Sequence, residues 1–247
     1  MSALRRILAE AGAEWRSFVR HRTAVFFTFL FPALLIVIFG ALVRTDPSGG
    51  GLFAEPAAYY VPGYLAVVVL FTPLSRVSST VARYREGNRF EKLTTTPLTR
   101  AEWLAAHALV NVAIVVLACA LIFVLVIALT GAPVGSLALV PAFVALGVVV
   151  FCGIGAFLGR IADSRDGAVA ASNALGFPLL FLSDTFVPPS LLPEWFAPFM
   201  DLSPLTYFAR GTRAGMYGGD PGVDLAIIAL LAVAGFALGA VSIPRTE

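Results

Sequence analysis

The sequence predicts an all-α membrane protein with six transmembrane helices, and three observations lead there. Of 247 residues, 59% are hydrophobic and 13% charged, at a mean hydropathy of +0.89. A water-soluble domain carries about 25% charged residues, so a chain this apolar could not cover its own surface in water. Second, apolar runs of about twenty residues, enough to cross a hydrocarbon core, recur along the chain. Third, the basic residues gather in alternate connections. The net charge of +2 makes no case for nucleic acid.

Residues 1–22 open the single predicted domain, 1–247. Leu4, Ile7, Leu8, Ala11, Trp15, Phe18 and Val19 recur at helical spacing, with Arg5, Arg6, Glu14, Arg16 and Arg20 around them. That pattern predicts an amphipathic helix lying in the membrane interface, against membrane lipid. A soluble packing helix is the alternative, disfavoured by the span that follows at once. The run is too long, and begins too late, for the core of a signal peptide. Span one, 23–43, carries Pro32 near its middle, and 44–55 is a Gly-rich loop. Span two, 59–81, has Ser75, Arg76, Ser78, Ser79 and Thr80 in its latter half. An arginine there faces protein or water, or snorkels to the membrane surface.

Residues 83–100 form the longest polar segment and read as a docking element. Asn88 and Glu91 have the spacing of a capping box, and Pro97 closes the short helix between. Phe90 and Leu93 fall on one side, with Glu91, Lys92 and Thr95 around the rest. Span three, 103–130, places His107 and Asn111 on one face. Span four, 137–158, ends in the Gly155/Gly159 pair, which allows close helix approach. Span five, 168–187, contains Asn173, Pro178, Ser183 and Asp184. Residues 188–219 are too interrupted to span and too apolar for a free loop, so they are interfacial or re-entrant. Within them Ser203 caps a helix with Pro204 at its first position, stopping at Gly218. Span six covers 223–243. Arginines precede span one, fill 83–100, and follow spans four and six, which predicts a multi-pass plasma-membrane protein with both termini and the docking segment in the cytoplasm.

Little in the chain suggests catalysis. Its one lysine, Lys92, is not in a Gly-Lys-Ser/Thr motif, so no P-loop is present. There is no His-Glu-x-x-His and no Cys/His cluster to hold a metal. Cys119 and Cys152 lie in apolar runs and read as small buried hydrophobes. His21 and His107 sit at helix ends rather than beside an intramembrane serine. Asp184 has two readings: a polar point on a substrate or proton path, or a residue kept hydrated near the surface or paired with Arg210 or Arg213.

These features together resemble the membrane subunit of ABC-2 type transporters, the permeases of drug, polysaccharide and lipid exporters. Four stretches carry the likeness: Phe29-Leu30-Phe31-Pro32 with Phe39-Gly40; Arg85-Glu86-Gly87 through Phe90-Glu91-Lys92-Leu93 to Arg100; Leu182-Ser183-Asp184 through Pro188 and on to Trp195; and Ser203-Pro204-Leu205-Thr206-Tyr207 with Arg213. The last, similar to the family's Pro-Leu-x-Tyr signature, is the most specific. Asp184 stands where the family usually has a small residue, and Gly87 comes one residue early relative to Glu91. The resemblance implies a non-enzymatic permease, paired as a homodimer or heterodimer and driven by separate ATP-binding subunits that hold the ATP and Mg. It makes 83–100 a coupling loop. Phe90 and Leu93 would fill a groove on the ATPase, with Glu86, Glu91, Lys92, Thr95 and Pro97 around them. Ser183, Asp184, Pro188, Pro204, Leu205, Tyr207 and Arg213 would belong to an outer gate. An ATP-independent secondary transporter or channel is the alternative, with a membrane scaffold or intramembrane enzyme third.

Overall fold

A computed structural model describes residues 2–38, 56–131, 133, 135–186 and 193–244. Among them the chain is helical, with no strand: α1 (Ala3–Arg20), α2 (Arg22–Ile36), α3 (Val61–Glu86), α4 (Arg89–Thr94), α5 (Arg100–Thr130), α6 (Val140–Ile161), α7 (Arg165–Phe181), α8 (Ala197–Met200), α9 (Pro204–Tyr217) and α10 (Gly222–Ser242). Four stretches are long and apolar enough to cross a membrane: Ala58–Glu86, Arg100–Thr130, Val140–Ile161 and Gly222–Ser242. The other two expected spans coincide with shorter helices, α2 of 15 residues and α7 of 17. The last part of span one and the loop after it lie outside the described residues. Span five ends earlier than the hydropathy suggests because Ser183, Asp184 and Thr185 turn away from the helix, and Ser183 Oγ donates back to Leu180 O at 2.7 Å.

The centre of the bundle is α3. Every residue from Val61 to Leu70 is buried, so this half of the helix touches protein on all sides. Its neighbours are α2, α4, α5, α6, α7 and α9. The Gly155/Gly159 pair forms the seam with α3: a Cβ at Gly155 would lie 2.7 Å from Leu74 O, and one at Gly159 2.3 Å from Ser78 O. On its other side α6 meets α10 as closely, since a Cβ at Gly153 would stand 1.9 Å from Gly235 O. At these glycines backbone meets backbone directly, a close approach that suits helices in lipid.

Large apolar side chains point outward instead. Val124 and Ile127 on α5, Phe177 and Phe181 on α7, and Leu230, Val233 and Val241 on α10 are all exposed. In water such a surface would aggregate, whereas in a bilayer it is the solvent-facing side. The apolar stripe of α1 divides. Ala11 and Phe18 pack on Ala106, Val110 and Ile114 of α5, while Leu4, Leu8 and Val19 remain exposed.

Candidate functional site

The short helix α4 bridges α3 and α5. The expected capping box at Asn88 and Glu91 does not form. Asn88 has left-handed φ/ψ (50°, 32°) and makes no side-chain cap bond. A capping residue needs extended backbone to aim its side chain at the helix amides. Asn88 instead ends α3, which runs on to Glu86, using the αL tolerance that asparagine shares with glycine. The capping box lies one helix later: Thr99 Oγ1 accepts from Glu102 N at 3.2 Å while a Glu102 carboxylate oxygen accepts from Thr99 N at 2.9 Å.

Phe90 turns inward. It is 7% exposed and forms an aromatic triangle with Tyr84 of α3 and Trp103 of α5, with ring centroids 5.4–5.7 Å apart. Its ring is therefore part of this chain's own core, whereas the family resemblance implied that it would fill a groove on a partner. Leu93 is half-buried against the same core. Glu91, Lys92, Thr95 and Pro97 are exposed. Glu86 accepts from the backbone N of Arg165 at 2.8 Å, tying the end of α3 to the start of α7. Arg85 reinforces that corner by donating to Ala162 O at 2.9 Å. The α4 helix thus shows a polar face and sits on an aromatic anchor shared by α3 and α5.

A charge cluster adjoins the triangle. The His107 ring stacks on Trp103, centroids 3.8 Å apart, and its Nε2 lies 3.8 Å from Glu10. Arg76 faces protein: it donates to Glu14 Oε1 at 3.0 Å and to Asn111 Oδ1 at 3.1 Å, with its guanidinium over the Phe18 ring at 4.4 Å. Burial holds the Glu14 carboxyl above its usual pKa, opposed by the positive charges of Arg76 and Arg83. Burial, and then the charge of Glu14, raise Glu10 in the same way. A second pair, Arg6 with Glu102, ties α1 to the start of α5.

At the opposite end of α3, Arg213 of α9 grips the turn after α7. Its Nη1 donates to both carboxylate oxygens of Asp184, at 3.1 and 2.9 Å, and its Nη2 to Asp184 O at 3.1 Å. The guanidinium also covers the Tyr59 ring at 3.9 Å. Of the two readings of Asp184, the structure favours the paired one, with Arg213 as partner. Arg210 is taken by Asp224, its Nη2 to Oδ1 distance being 2.7 Å. Ser203 caps α9 as expected, accepting from Leu205 N at 3.3 Å, and donates across to Leu179 O at 2.8 Å. Leu205 is fully buried, and Tyr207 donates its hydroxyl to Asp201 O at 2.8 Å. Ser183, Asp184, Leu205 and Arg213 are thus assembled around the junction of α3, α7 and α9, while Pro188 lies outside the described residues.

A sequence model of the ABC-2 type transporter family matches residues 6–217. The chain belongs to that family. The daunorubicin resistance ABC transporter permease protein DrrB1 of Streptomyces coeruleorubidus is 29% identical over 196 residues, 76% of this chain and 67% of that protein. In this ABC-2 type permease, sequence reasoning missed the cluster of Glu10, Glu14, Arg76 and His107. Glu14 and Arg76 are 62 positions apart and nothing local links them. The available signal was the cost of an arginine inside an apolar span, which requires an acid or a carbonyl from elsewhere.

Proposed function

We propose that this permease is the membrane half of an exporter in the plasma membrane, with six spans, both termini in the cytoplasm, and two permeases paired with separate ATP-binding subunits that carry the ATP and Mg. The observation that carries the reading is the burial of Phe90 between Tyr84 and Trp103 under an exposed polar tip. A six-residue helix has little stability of its own, so this aromatic anchor makes it a rigid lever on α3 and α5.

The ATPase would grip Glu91, Lys92, Thr95 and Pro97, with Leu93 at the margin and Glu86 steadying the corner. Closure of the ATPase pair would push α4, and the aromatic triangle would pass the displacement to α3. At the far end of α3 the displacement reaches the junction held by Asp184 and Arg213, where Ser183, Pro204, Leu205 and Tyr207 complete the gate; Pro188, outside the described residues, is assigned to it from the family signature alone. The cargo would be an amphipathic molecule, supported by apolar spans with few charges along them; the similar DrrB1 is named for daunorubicin resistance.

The test is purification of the tagged full chain from its own host in mild detergent. A stoichiometric soluble ATPase should accompany it. Exchanging the charges, Glu91→Lys with Lys92→Glu, should release the ATPase while shifting stability by no more than about 0.5 kcal/mol, since both side chains are exposed. Transport that continued undiminished after loss of every ATPase would refute the reading in favour of an ATP-independent carrier.

A further inference from the structure

Along α1, Arg6, Glu10 and Glu14 recur every fourth residue and so lie on one stripe. Each meets a partner on the bundle. Arg6 Nε donates to Glu102 of α5 at 3.0 Å, and Glu14 Oε1 accepts from Arg76 of α3 at 3.0 Å. The middle position is different. There the His107 ring sits between two carboxylates, its Nε2 3.8 Å from Glu10 and its Nδ1 4.0 Å from Glu14. Both distances are too long for a hydrogen bond. The ring is only 1% exposed, which gives solvent little access, and Nε2 makes no hydrogen bond.

A neutral imidazole carries one N–H and one lone pair. With a carboxylate opposite each nitrogen, one of the two contacts sets a lone pair against a negative oxygen, whichever tautomer is present. A single added proton removes that clash. On a carboxyl it makes an O–H that donates to the lone pair, and on the ring it makes a second N–H; either way one proton yields one new hydrogen bond. Other titratable groups face the trio. Arg83 and Tyr84 of α3 and His21 at the end of α1 lie within electrostatic reach, beside Arg76. The positive Arg76, Arg83 and His21 favour the charged form of Glu14, whereas both burial and the negative Glu14 oppose that of Glu10. Glu10 is therefore the carboxyl that takes a proton more readily.

We propose that Glu10, Glu14 and His107 form a buried proton-binding site, and that the bound proton fastens α1 to the bundle. The proton comes from the water beside α1 and returns to it. Because the Glu10 pKa is raised where α1 is packed, the hold is complete below the ordinary carboxylate range and weakens as pH rises through the raised value. The helix is thereby a strap whose tightness follows pH. The inference rests on the packing of α1 alone, so it stands or falls separately from the exporter reading.

The test is electron paramagnetic resonance of the full chain in lipid nanodiscs, spin-labelled at Arg16→Cys on the exposed face of α1. Cys119 and Cys152 are buried, out of reach of the label. Label mobility should rise with pH along a single-proton curve. Glu10→Gln, whose amide donates to the ring without titrating, should keep α1 held and abolish the pH dependence. Glu10 is half-buried and the exchange isosteric, so the variant should fold. Arg6→Gln, which breaks the neighbouring pair, should raise mobility at every pH and leave the curve in place. Difference infrared spectra of the unlabelled chain should show a protonated-carboxyl band that fades along the same curve and is missing in Glu10→Gln. A pH-independent label, a curve that survives in Glu10→Gln, its equal loss in Arg6→Gln, or absence of the carboxyl band would each overturn the proposal. None of these readouts involves ATP hydrolysis or transport, so their failure would leave the exporter reading standing.

Discussion

Arg213 and Arg83 stand near opposite ends of the bundle, and their surroundings differ in kind. Arg213 has a carboxylate, two backbone carbonyls and an aromatic face within reach. Arg83 lies beside the Tyr84 ring with its Nε unmatched. Neighbouring groups follow suit. At the α9 end Arg210 is paired with Asp224, whereas at the α4 end Glu91 and Lys92 project from the surface. The α9 end holds its Arg213–Asp184 pair buried, while the α4 end adds an exposed charged tip to its own pairs, Arg6 with Glu102 and Arg76 with Glu14. Under the coupling proposed above, that contrast would suit a gate that resists opening and a receiver gripped by the ATPase.

The largest effect should come from breaking the α9 end. Arg213→Ala strands the buried Asp184 carboxylate and should cost about 3–5 kcal/mol in thermal unfolding of the detergent-solubilised protein. The double variant with Asp184→Ala should recover much of that loss, because no charge is then left buried alone. Additive losses would mean that the pair is not the lock described here. At the α4 end, Phe90→Ala should cost about 3 kcal/mol, since it empties the triangle with Tyr84 and Trp103. A negligible cost would show that the ring lies outside the core.

The smallest effect concerns Glu10, whose carboxyl faces His107 of α5 and Glu14 on its own helix. Burial raises its pKa in the folded protein, so the folded state binds the proton more tightly than the unfolded one. Stability therefore falls as pH rises from the ordinary carboxylate range through the raised value. Glu10→Gln removes that slope. It should raise Tm slightly at neutral pH, and the gain should vanish below about pH 4, where the unfolded carboxyl is also protonated. A gain that persisted at low pH would point to packing rather than charge.

Much of this architecture is written locally in the chain. Helical periodicity and hydropathy place α3, α5, α6 and α10 within a few residues, because each signal lies within the helix it describes. Gly155 and Gly159 correctly announce a close seam, although only the fold reveals α3 as the partner. Ser203 and Pro204 mark the start of α9. The misreadings share one cause. Asn88 and Glu91 have capping-box spacing, but spacing is silent about φ, and the extra length of α3 turns Asn88 into a helix terminator. An isolated short helix does not say which of its sides is covered, so Phe90 reads equally well as facing outward; Trp103, thirteen residues on, decides it. Glu14 and Arg76 find each other only through the packing of α1 beside α3 and α5.

The glycine contacts on both sides of α6 have a mechanical consequence. Where backbones touch, there are no long side chains to change rotamer and let one helix slide along the next. The three helices α3, α6 and α10 would therefore travel as one piece, and under the proposed coupling a displacement entering at α4 would not be dissipated among them. The give in the molecule would then lie elsewhere, in α1, α2 and α7.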